Sequence, residues 1–166
     1  MVMVRPATLD DLAAITEIYN DAVLNLTATF DTDPKSMEDQ REWFAHHDDR
    51  HPILVAERGD SHEIVAWASL SQWSDRCAYE DTAENSIYVK ASCRGQGIGK
   101  ALLAALIAQG ATAGIHTIIA RIGGSNAASV RLHESQGFEP IGVMREVGFK
   151  FGQRLDVTMM QKIYQP

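Results

Sequence analysis

The spacing of apolar residues predicts one strand and two helices in the N-terminal part of the chain. A short apolar run at residues 1–7 is typical of a strand. The next segment follows the potential N-cap Thr8 and places one apolar stripe on a helix: Leu12, Ile15, Tyr19, Ala22, Val23 and Leu26. A second helix is predicted after Ser36, because Asp39 follows it at the spacing expected of an N-terminal capping pair. We expect the first stripe to face the core.

Strand patterns alternate with two further helices in the rest of the chain. The segments ILVAE and EIVAWASLSQW predict a β-hairpin with one buried face, formed by Ile64, Ala66, Ala68 and Leu70. A strand at ENSIYVK, a helix that ends before Gly114, a strand at HTIIARI, a helix stopped by Gly137 and two closing strands follow. The order βααβββαβαββ predicts a single α+β domain over residues 1–166, with about four helices flanking a mixed, mostly antiparallel seven-stranded sheet.

Composition and charge exclude several classes of protein. With 45% hydrophobic and 22% charged residues, no membrane span and no secretory signal, the sequence predicts a cytoplasmic globular protein. Its formal net charge of −7 argues against nucleic-acid binding, which requires clustered Lys and Arg. Lys90, Arg94 and Lys100 form a local basic exception that indicates a small anionic ligand. Cys77 and Cys93 are expected to be free thiols.

The segment Gly95–Gly99 holds three glycines between a predicted strand and a predicted helix. Such a turn presents backbone N–H groups and the positive end of the helix dipole, and phosphate is their natural ligand. The spacing excludes a P-loop, which needs glycine at position 94, and a dinucleotide fingerprint, which needs glycine at position 100. A flexible turn without a ligand is the simpler alternative.

The pattern Arg-x-x-Gly-x-Gly, formed by Arg94, Gly97 and Gly99, resembles that of the GNAT superfamily of acyl-CoA-dependent N-acetyltransferases. The resemblance implies that the loop holds the pyrophosphate of acetyl-CoA and that the preceding strand binds the pantetheine arm. The later segment NAASVRLHESQGF resembles the second cofactor segment of that superfamily. The cofactor-binding residues implied are Ile87, Tyr88, Val89, Arg94, Gly95, Gln96, Gly97, Ile98, Gly99, Lys100, Asn126, Ser129 and Ser135. No metal is expected.

Four segments narrow the resemblance to the phosphinothricin acetyltransferase family and its relatives that acetylate methionine sulfoximine. They are TATFDTDP, WSDRCAYEDTAENSIYV, SVRLHESQGF and EVGFKFGQRLDV. This resemblance implies a substrate pocket lined by Phe30, Arg76, Tyr79 and Glu84. It also implies that Glu84 is the catalytic base, with His133 and Tyr88 as further catalytic residues.

The reaction itself explains why such residues are useful. Amide formation from a thioester requires a deprotonated amine, and an α-amine with a pKa of about 7.7 to 8 is partly protonated at neutral pH, so Glu84 can serve as a base. His133 is the candidate acid for the departing thiolate, and Arg76 can bind an anionic group of the substrate. The simpler alternatives are an exposed glutamate, a structural or surface histidine, and a solvated arginine.

Two other kinds of site are less favoured by the sequence. Cys77 and Cys93 have no histidine nearby in sequence, and direct transfer needs no covalent intermediate. The histidines at positions 46, 47 and 51 stand with two aspartates at a polar helix end and lack zinc-ligand spacing, which favours a solvated cluster.

The predicted function is transfer of an acetyl group from acetyl-CoA to the α-amine of a small amino-acid analogue, by direct attack in a ternary complex. The expected substrate type is phosphinothricin, methionine sulfoximine or methionine sulfone. The alternatives are a GNAT enzyme for another amine, such as a protein N-terminus, aminoglycoside or polyamine, or a non-catalytic acyl-CoA-binding module. The resemblance also implies a homodimer with the segment VGFKFG near its interface, whereas no nucleic-acid or membrane partner is expected.

Overall fold

A seven-stranded sheet with the strand order β1-β2-β3-β4-β5-β7-β6 runs through the computed structural model, which describes residues 2–164. The strands are β1 Val2–Pro6, β2 Ile53–Arg58, β3 Glu63–Gln72, β4 Thr82–Val89, β5 Thr117–Gly123, β6 Glu139–Lys150 and β7 Gln153–Ile163. Neighbouring strands are antiparallel except β4 and β5, which run parallel.

Four α-helices flank the sheet: α1 Leu12–Asn25, α2 Met37–Ala45, α3 Ile98–Thr112 and α4 Ala127–Glu134. Element order and sheet class confirm the predicted α+β arrangement βααβββαβαββ. None of the helices within residues 2–164 is long and apolar enough to cross a membrane.

The predicted N-cap of α2 is present, whereas the predicted cap Thr8 precedes a short 3-10 helix and not α1 itself. Asp11 accepts a hydrogen bond from the Thr8 backbone N–H at 2.8 Å and ends the 3-10 helix Leu9–Asp11, which leads directly into α1. At α2, the Ser36 hydroxyl accepts from the Asp39 backbone N–H at 3.1 Å while the Asp39 carboxylate accepts from the Ser36 backbone N–H at 2.8 Å. Both caps supply partners for backbone donors that a helix terminus leaves free.

Strand β3 is buried on both faces, which corrects the prediction of one buried face. Val65 and Trp67 are as buried as the predicted positions Ala66 and Ala68. The reason is that α3 packs on one side of the sheet, whereas α1 and α2 pack on the other. A strand covered twice loses the polar alternation that marks a solvated face.

The site is created where β4 and β5 separate. β4 pairs with β3 from Ala83 to Val89, yet it pairs with β5 only from Thr82 to Glu84. Beyond Glu84 the two parallel strands diverge. β4 begins two residues earlier than predicted, so Glu84 lies at the point of divergence and not at the start of the strand.

Candidate active site

Two connected cavities open where β4 and β5 diverge. The Glu84 cavity has a volume of about 600 Å³ and is bordered by Glu84 and Phe30, among other residues. The glycine-loop cavity has a volume of about 790 Å³ and is bordered by the loop before α3. The residues that line both cavities are Ala28, Ile87, Tyr88, Asn126 and Ser129. Ligands in the two cavities can therefore touch each other.

The glycine loop has the backbone conformation that only glycine adopts easily. Gly95 and Gly97 have φ angles of +74° and +79°, and Gly97 is the N-cap of α3. A Cβ atom at either position would meet no atom within 4 Å, so open space lies in front of this backbone. The loop and the first turn of α3 can thus bind an anionic group closely.

Most of the predicted cofactor residues border the glycine-loop cavity. They are Ile87, Tyr88, Val89, Arg94, Gly95, Gly97, Ile98, Gly99, Lys100, Asn126 and Ser129. Gln96 and Ser135 do not border it. The Gln96 amide donates to the Ser92 carbonyl at 3.2 Å, and the Ser135 hydroxyl donates to the Leu132 carbonyl at 2.7 Å, so both side chains bind their own backbone segments.

One edge of β4 faces the gap between the strands. The backbone N–H of Lys90 donates to the Val65 carbonyl of β3 at 2.9 Å. Because hydrogen-bonding directions alternate along a strand, the peptide groups of Val89 and Ile87 point away from β3 and toward the gap. An extended ligand with amide groups fits such an edge.

Glu84 forms a two-point ion pair with Arg121 inside the Glu84 cavity. Arg121 Nε and Nη2 donate to the two carboxylate oxygens at 2.5 and 2.7 Å. The guanidinium also lies 5.7 Å from the ring centre of Trp73. The prediction did not include Arg121, although a charged residue inside the apolar strand HTIIARI is a signal that could have identified it.

His133 is buried in α4, with only 2% of its surface exposed. Its Nδ1 lies 2.8 Å from the Ser129 carbonyl, which can only accept, so Nδ1 carries the proton. Its Nε2 therefore accepts from the Asn85 amide nitrogen at 3.0 Å. Burial lowers the pKa of His133 below its ordinary value. The imidazole is neutral at pH 7 and both of its nitrogens are occupied.

A hydrogen-bonded aromatic cluster closes the Glu84 cavity beside Tyr88. Tyr19 donates to the Asp31 carboxylate at 2.5 Å and lies 2.9 Å from the Thr29 hydroxyl. The Tyr19 and Tyr88 rings meet edge to face with centroids 5.2 Å apart. Burial raises the pKa of Tyr88 to about 12, so its phenol is protonated at neutral pH. Tyr88 was predicted as a site residue, whereas Tyr19 and Asp31 were not predicted to line this cavity.

The segment of residues 26–31, here the cavity loop, is held against β6. The buried Lys150 ammonium donates to the carbonyls of Leu26 and Thr29 at 2.7 and 2.8 Å. Phe30 lies directly over Gly148, where a Cβ atom would overlap its ring. Phe30 borders the Glu84 cavity at the position that the resemblance implied for it.

Arg76 and Tyr79 lie outside both cavities. They occupy the segment between β3 and β4, where both side chains are exposed, Tyr79 by 44%. Neither residue borders the cavities within this chain, so their substrate contacts stay a prediction. Cys77 and Cys93 are free, as expected. Within the described range of residues 2–164, no cluster of three or more His, Cys, Asp and Glu side chains is arranged to hold a metal.

The sequence model of the Acetyltransferase (GNAT) family matches residues 14–138, which span the cavity loop, β4, the glycine loop and α4. The chain belongs to the GNAT acetyltransferase family. The predictions of a GNAT fold and of an N-acetyltransferase that resembles the phosphinothricin acetyltransferase family are thereby confirmed.

Three similar proteins illustrate the relationships of this GNAT chain. An L-methionine sulfoximine/L-methionine sulfone acetyltransferase of Pseudomonas paraeruginosa is 41% identical over 98% of this chain and 95% of its own. A phosphinothricin acetyltransferase of Sinorhizobium meliloti, solved with acetyl-CoA, has a TM-score of 0.94 and 37% identity over 98% of this chain and 88% of its own. A ribosomal-protein-alanine N-acetyltransferase of Brucella melitensis has a TM-score of 0.93 and 41% identity over 98% of this chain and 99% of its own.

Proposed function

We propose that this GNAT enzyme transfers the acetyl group of acetyl-CoA to the α-amine of a small amino-acid analogue of the phosphinothricin or methionine sulfoximine type. The observation that carries the proposal is that the two cavities share lining residues, because one is bordered by the glycine loop and the other by the carboxylate of Glu84. The named activities of the Pseudomonas and Sinorhizobium relatives support this substrate class.

Acetyl-CoA fits the glycine-loop cavity. The N–H groups around Gly95 and Gly97 and the charges of Arg94 and Lys100 suit its phosphates, and the open edge of β4 at Ile87 suits its amide-containing arm. A donor bound in this way has its thioester near Tyr88, where the two cavities meet.

Catalysis is proposed as direct attack of the amine on the thioester. Glu84 accepts the proton of the substrate ammonium, directly or through one water, and the neutral amine then attacks the acetyl carbon. The bond from that carbon to sulfur breaks and sulfur departs as a thiolate, while the attacking nitrogen loses its second proton, which ends on that sulfur to give the free thiol of coenzyme A. No covalent enzyme intermediate is required.

The group that meets the departing thiolate is proposed to be Tyr88. Its phenol keeps its proton at neutral pH because burial raises its pKa to about 12. His133 was the candidate acid from the sequence, yet its Nδ1 proton is bound to the Ser129 carbonyl and its Nε2 already accepts from Asn85. We therefore assign His133 to the orientation of Asn85.

A protein N-terminus is the second candidate acceptor. The Brucella structure with 41% identity is described as a ribosomal-protein-alanine N-acetyltransferase, which favours it. The Glu84 cavity, at about 600 Å³, is large enough for a small molecule or a terminal residue. A comparison of the turnover of free amino-acid analogues with the turnover of short peptides distinguishes these two classes of acceptor.

We further propose that the protein is cytoplasmic, that each chain forms a single domain, and that two copies of the chain form a homodimer. Five large apolar side chains of the β6 hairpin are each more than half exposed and are called the β6 stripe here: Ile141, Val143, Val147, Phe149 and Phe151. β6 is also the last strand of the sheet, so it offers an unpaired edge. A second copy on this stripe would close the mouth of the Glu84 cavity beside Val147.

The test is release of coenzyme A from acetyl-CoA with a panel of acceptors. The panel contains phosphinothricin, methionine sulfoximine, methionine sulfone, polyamines, aminoglycosides and N-terminal peptides. We expect selective turnover of the amino-acid analogues, and a kcat lower by about 10²- to 10⁴-fold in Glu84→Gln, the range of a lost general base.

The matched control is Glu42→Gln, which changes an exposed carboxylate of α2. It is expected to keep the wild-type kcat. Wild-type turnover in Glu84→Gln would reject the base assignment. Selective turnover of peptides or polyamines would reject the substrate class, and acetyl-CoA binding without turnover of any acceptor would favour a non-catalytic module.

A further inference from the structure

We infer that Arg121 binds the α-carboxylate of the acceptor, so that Glu84 and Arg121 together recognise the two opposite charges of a zwitterionic α-amino acid. The inference rests on the proposed function, because it concerns the acceptor of that same reaction. It assigns substrate recognition to a residue of β5 and narrows the substrate class to amines that carry a free neighbouring carboxylate.

Arg121 is the positive group of the Glu84 cavity. Among the described residues that line this cavity, no other is a lysine or arginine, while Glu84 and Asp31 are acidic. An acceptor with a carboxylate needs a positive partner there, because burying an unpaired carboxylate in a cavity is costly. Arg76 lies outside this cavity and does not supply that charge.

The guanidinium of Arg121 has one edge occupied and one edge free. Nε and one N–H of Nη2 donate to Glu84. Across residues 2–164, no hydrogen bond engages Nη1, and arginine has five N–H donors in one plane. The edge formed by Nη1 and Nη2 can therefore take a second carboxylate in a two-point contact while the first contact persists.

The Arg121 side chain is 53% exposed, but two contacts favour one orientation before a substrate arrives. The ion pair with Glu84 holds one edge, and the Trp73 ring at 5.7 Å supports the face of the guanidinium. Little side-chain freedom is lost on binding, which favours affinity and specificity.

The geometry of an α-amino acid matches this pair. Its ammonium and carboxylate are attached to one carbon atom, so the two protein groups that bind them must be neighbours. Glu84 and Arg121 are in direct contact, with N–O distances of 2.5 and 2.7 Å. The ammonium can then reach a carboxylate oxygen of Glu84 while the carboxylate reaches the free edge of Arg121. A simple amine leaves the free edge of Arg121 without a partner. A polyamine places a second positive charge near the Arg121 guanidinium, which repels it.

The test compares methionine sulfone with its carboxamide, which has the same side chain and amine but no carboxylate. kcat/KM for both acceptors is measured in wild type, Arg121→Gln, Arg121→Lys, Arg76→Gln and the control Arg41→Gln, an exposed arginine of α2. We expect wild type to prefer the acid. Because Arg121→Gln also removes the partner of Glu84, it should lower kcat/KM for both acceptors, but by about 10- to 100-fold more for the acid than for the carboxamide.

Arg121→Lys keeps the charge without the planar two-point contact, and we expect it to lose a smaller part of the preference. The KM for acetyl-CoA should stay at its wild-type value in both variants, which also shows that they are folded. The inference would be wrong if the ratio of kcat/KM for the acid to kcat/KM for the carboxamide stayed at its wild-type value in both Arg121 variants. It would also be wrong if this ratio fell only in Arg76→Gln. Failure of wild type to acetylate either acceptor would reject the proposed function itself.

Discussion

At the scale of single residues, the glycine loop depends on backbone conformation more than on packing. Gly97 has φ +79° and open space where its Cβ would be. A side chain at this position is strained by about 1 to 2 kcal/mol. We expect Gly97→Ala to lower the free energy of unfolding by about that amount and to raise the KM for acetyl-CoA, measured by urea unfolding and steady-state kinetics.

Gly142→Ala is the matched control for this substitution. A Cβ at Gly142 also meets no atom within 4 Å, but the residue lies in β6 without a positive φ. Its unfolding free energy should stay within about 0.5 kcal/mol of wild type. Equal effects of the two alanines would show that the left-handed conformation of Gly97 is not the cause.

The buried His133 and the half-buried His47 make the free energy of unfolding depend on pH. Burial lowers the pKa of both His133 and His47 in the folded protein, so below the unfolded pKa of about 6.5 the unfolded chain binds more protons. Above that pH the histidines are neutral in both the folded and the unfolded state, so they do not change the free energy of unfolding. Below that pH they are protonated mainly in the unfolded chain, so the free energy of unfolding falls as the pH drops. Urea unfolding between pH 5 and 8 should show a smaller slope in His133→Gln. If the unfolding free energy of His133→Gln depends on pH as steeply as that of wild type, His133 is not the cause of the pH dependence.

Single-residue roles were only partly predictable from the sequence. Glu84, Tyr88, Phe30 and His133 were named through the family resemblance, and all four line one cavity. Arg121 was missed because its importance comes from a contact with Glu84, 37 positions away in the chain. A pattern within β5 shows that the residue is unusual but cannot show which carboxylate it meets.

At the scale of elements, Lys150 links the cavity loop to β6. Its ammonium is buried and donates to two carbonyls of the loop, and burial lowers its pKa from the ordinary value. In Lys150→Met the carbonyls of Leu26 and Thr29 lose their donor. We expect the substrate KM to rise several-fold and the unfolding free energy to fall by about 1 to 3 kcal/mol, since a buried acceptor is left unpaired.

The control for this substitution is Lys162→Met in β7, a lysine outside the cavity loop. Kinetics with varied acceptor and varied acetyl-CoA separate the two binding steps. Lys150→Met should change the KM of the acceptor much more than that of acetyl-CoA. An equal rise in both would argue that the substitution disturbs the whole fold.

The secondary-structure elements were predictable because their signals are local. The stripe that begins at Leu12, the cap at Ser36 and the stops at Gly114 and Gly137 are read within a few residues, and each is present. The separation of β4 from β5 has no such signal. It follows from how two distant strands pair, which a pattern of apolar positions does not record.

At the scale of the whole molecule, the β6 stripe predicts self-association. Val143 and Phe149 are exposed at its centre, so a charge at either position would oppose burial against a second copy. We expect wild type to sediment with twice the mass of the chain and the double variant Val143→Lys, Phe149→Lys to sediment as a monomer. Leu24→Lys, at an exposed apolar position of α1, should remain a dimer.

A dimer that persists in the double variant would place the interface elsewhere. If the monomer forms and its KM for the acceptor rises, the second copy contributes to the Glu84 cavity. Unchanged kinetics in the monomer would separate assembly from catalysis.

The short pairing of β4 with β5 also suggests that the stability of the folded protein depends on whether acetyl-CoA is bound. Residues 82 to 84 alone join the two strands along this line, and the gap beyond them interrupts the sheet from Asn85 onward. A donor bound in the proposed position would span this gap and contact both parts of the sheet. At a free concentration of 100 times its dissociation constant, a ligand that binds only the folded state adds about 2.7 kcal/mol of stability. We therefore expect the free energy of unfolding to rise with the concentration of acetyl-CoA.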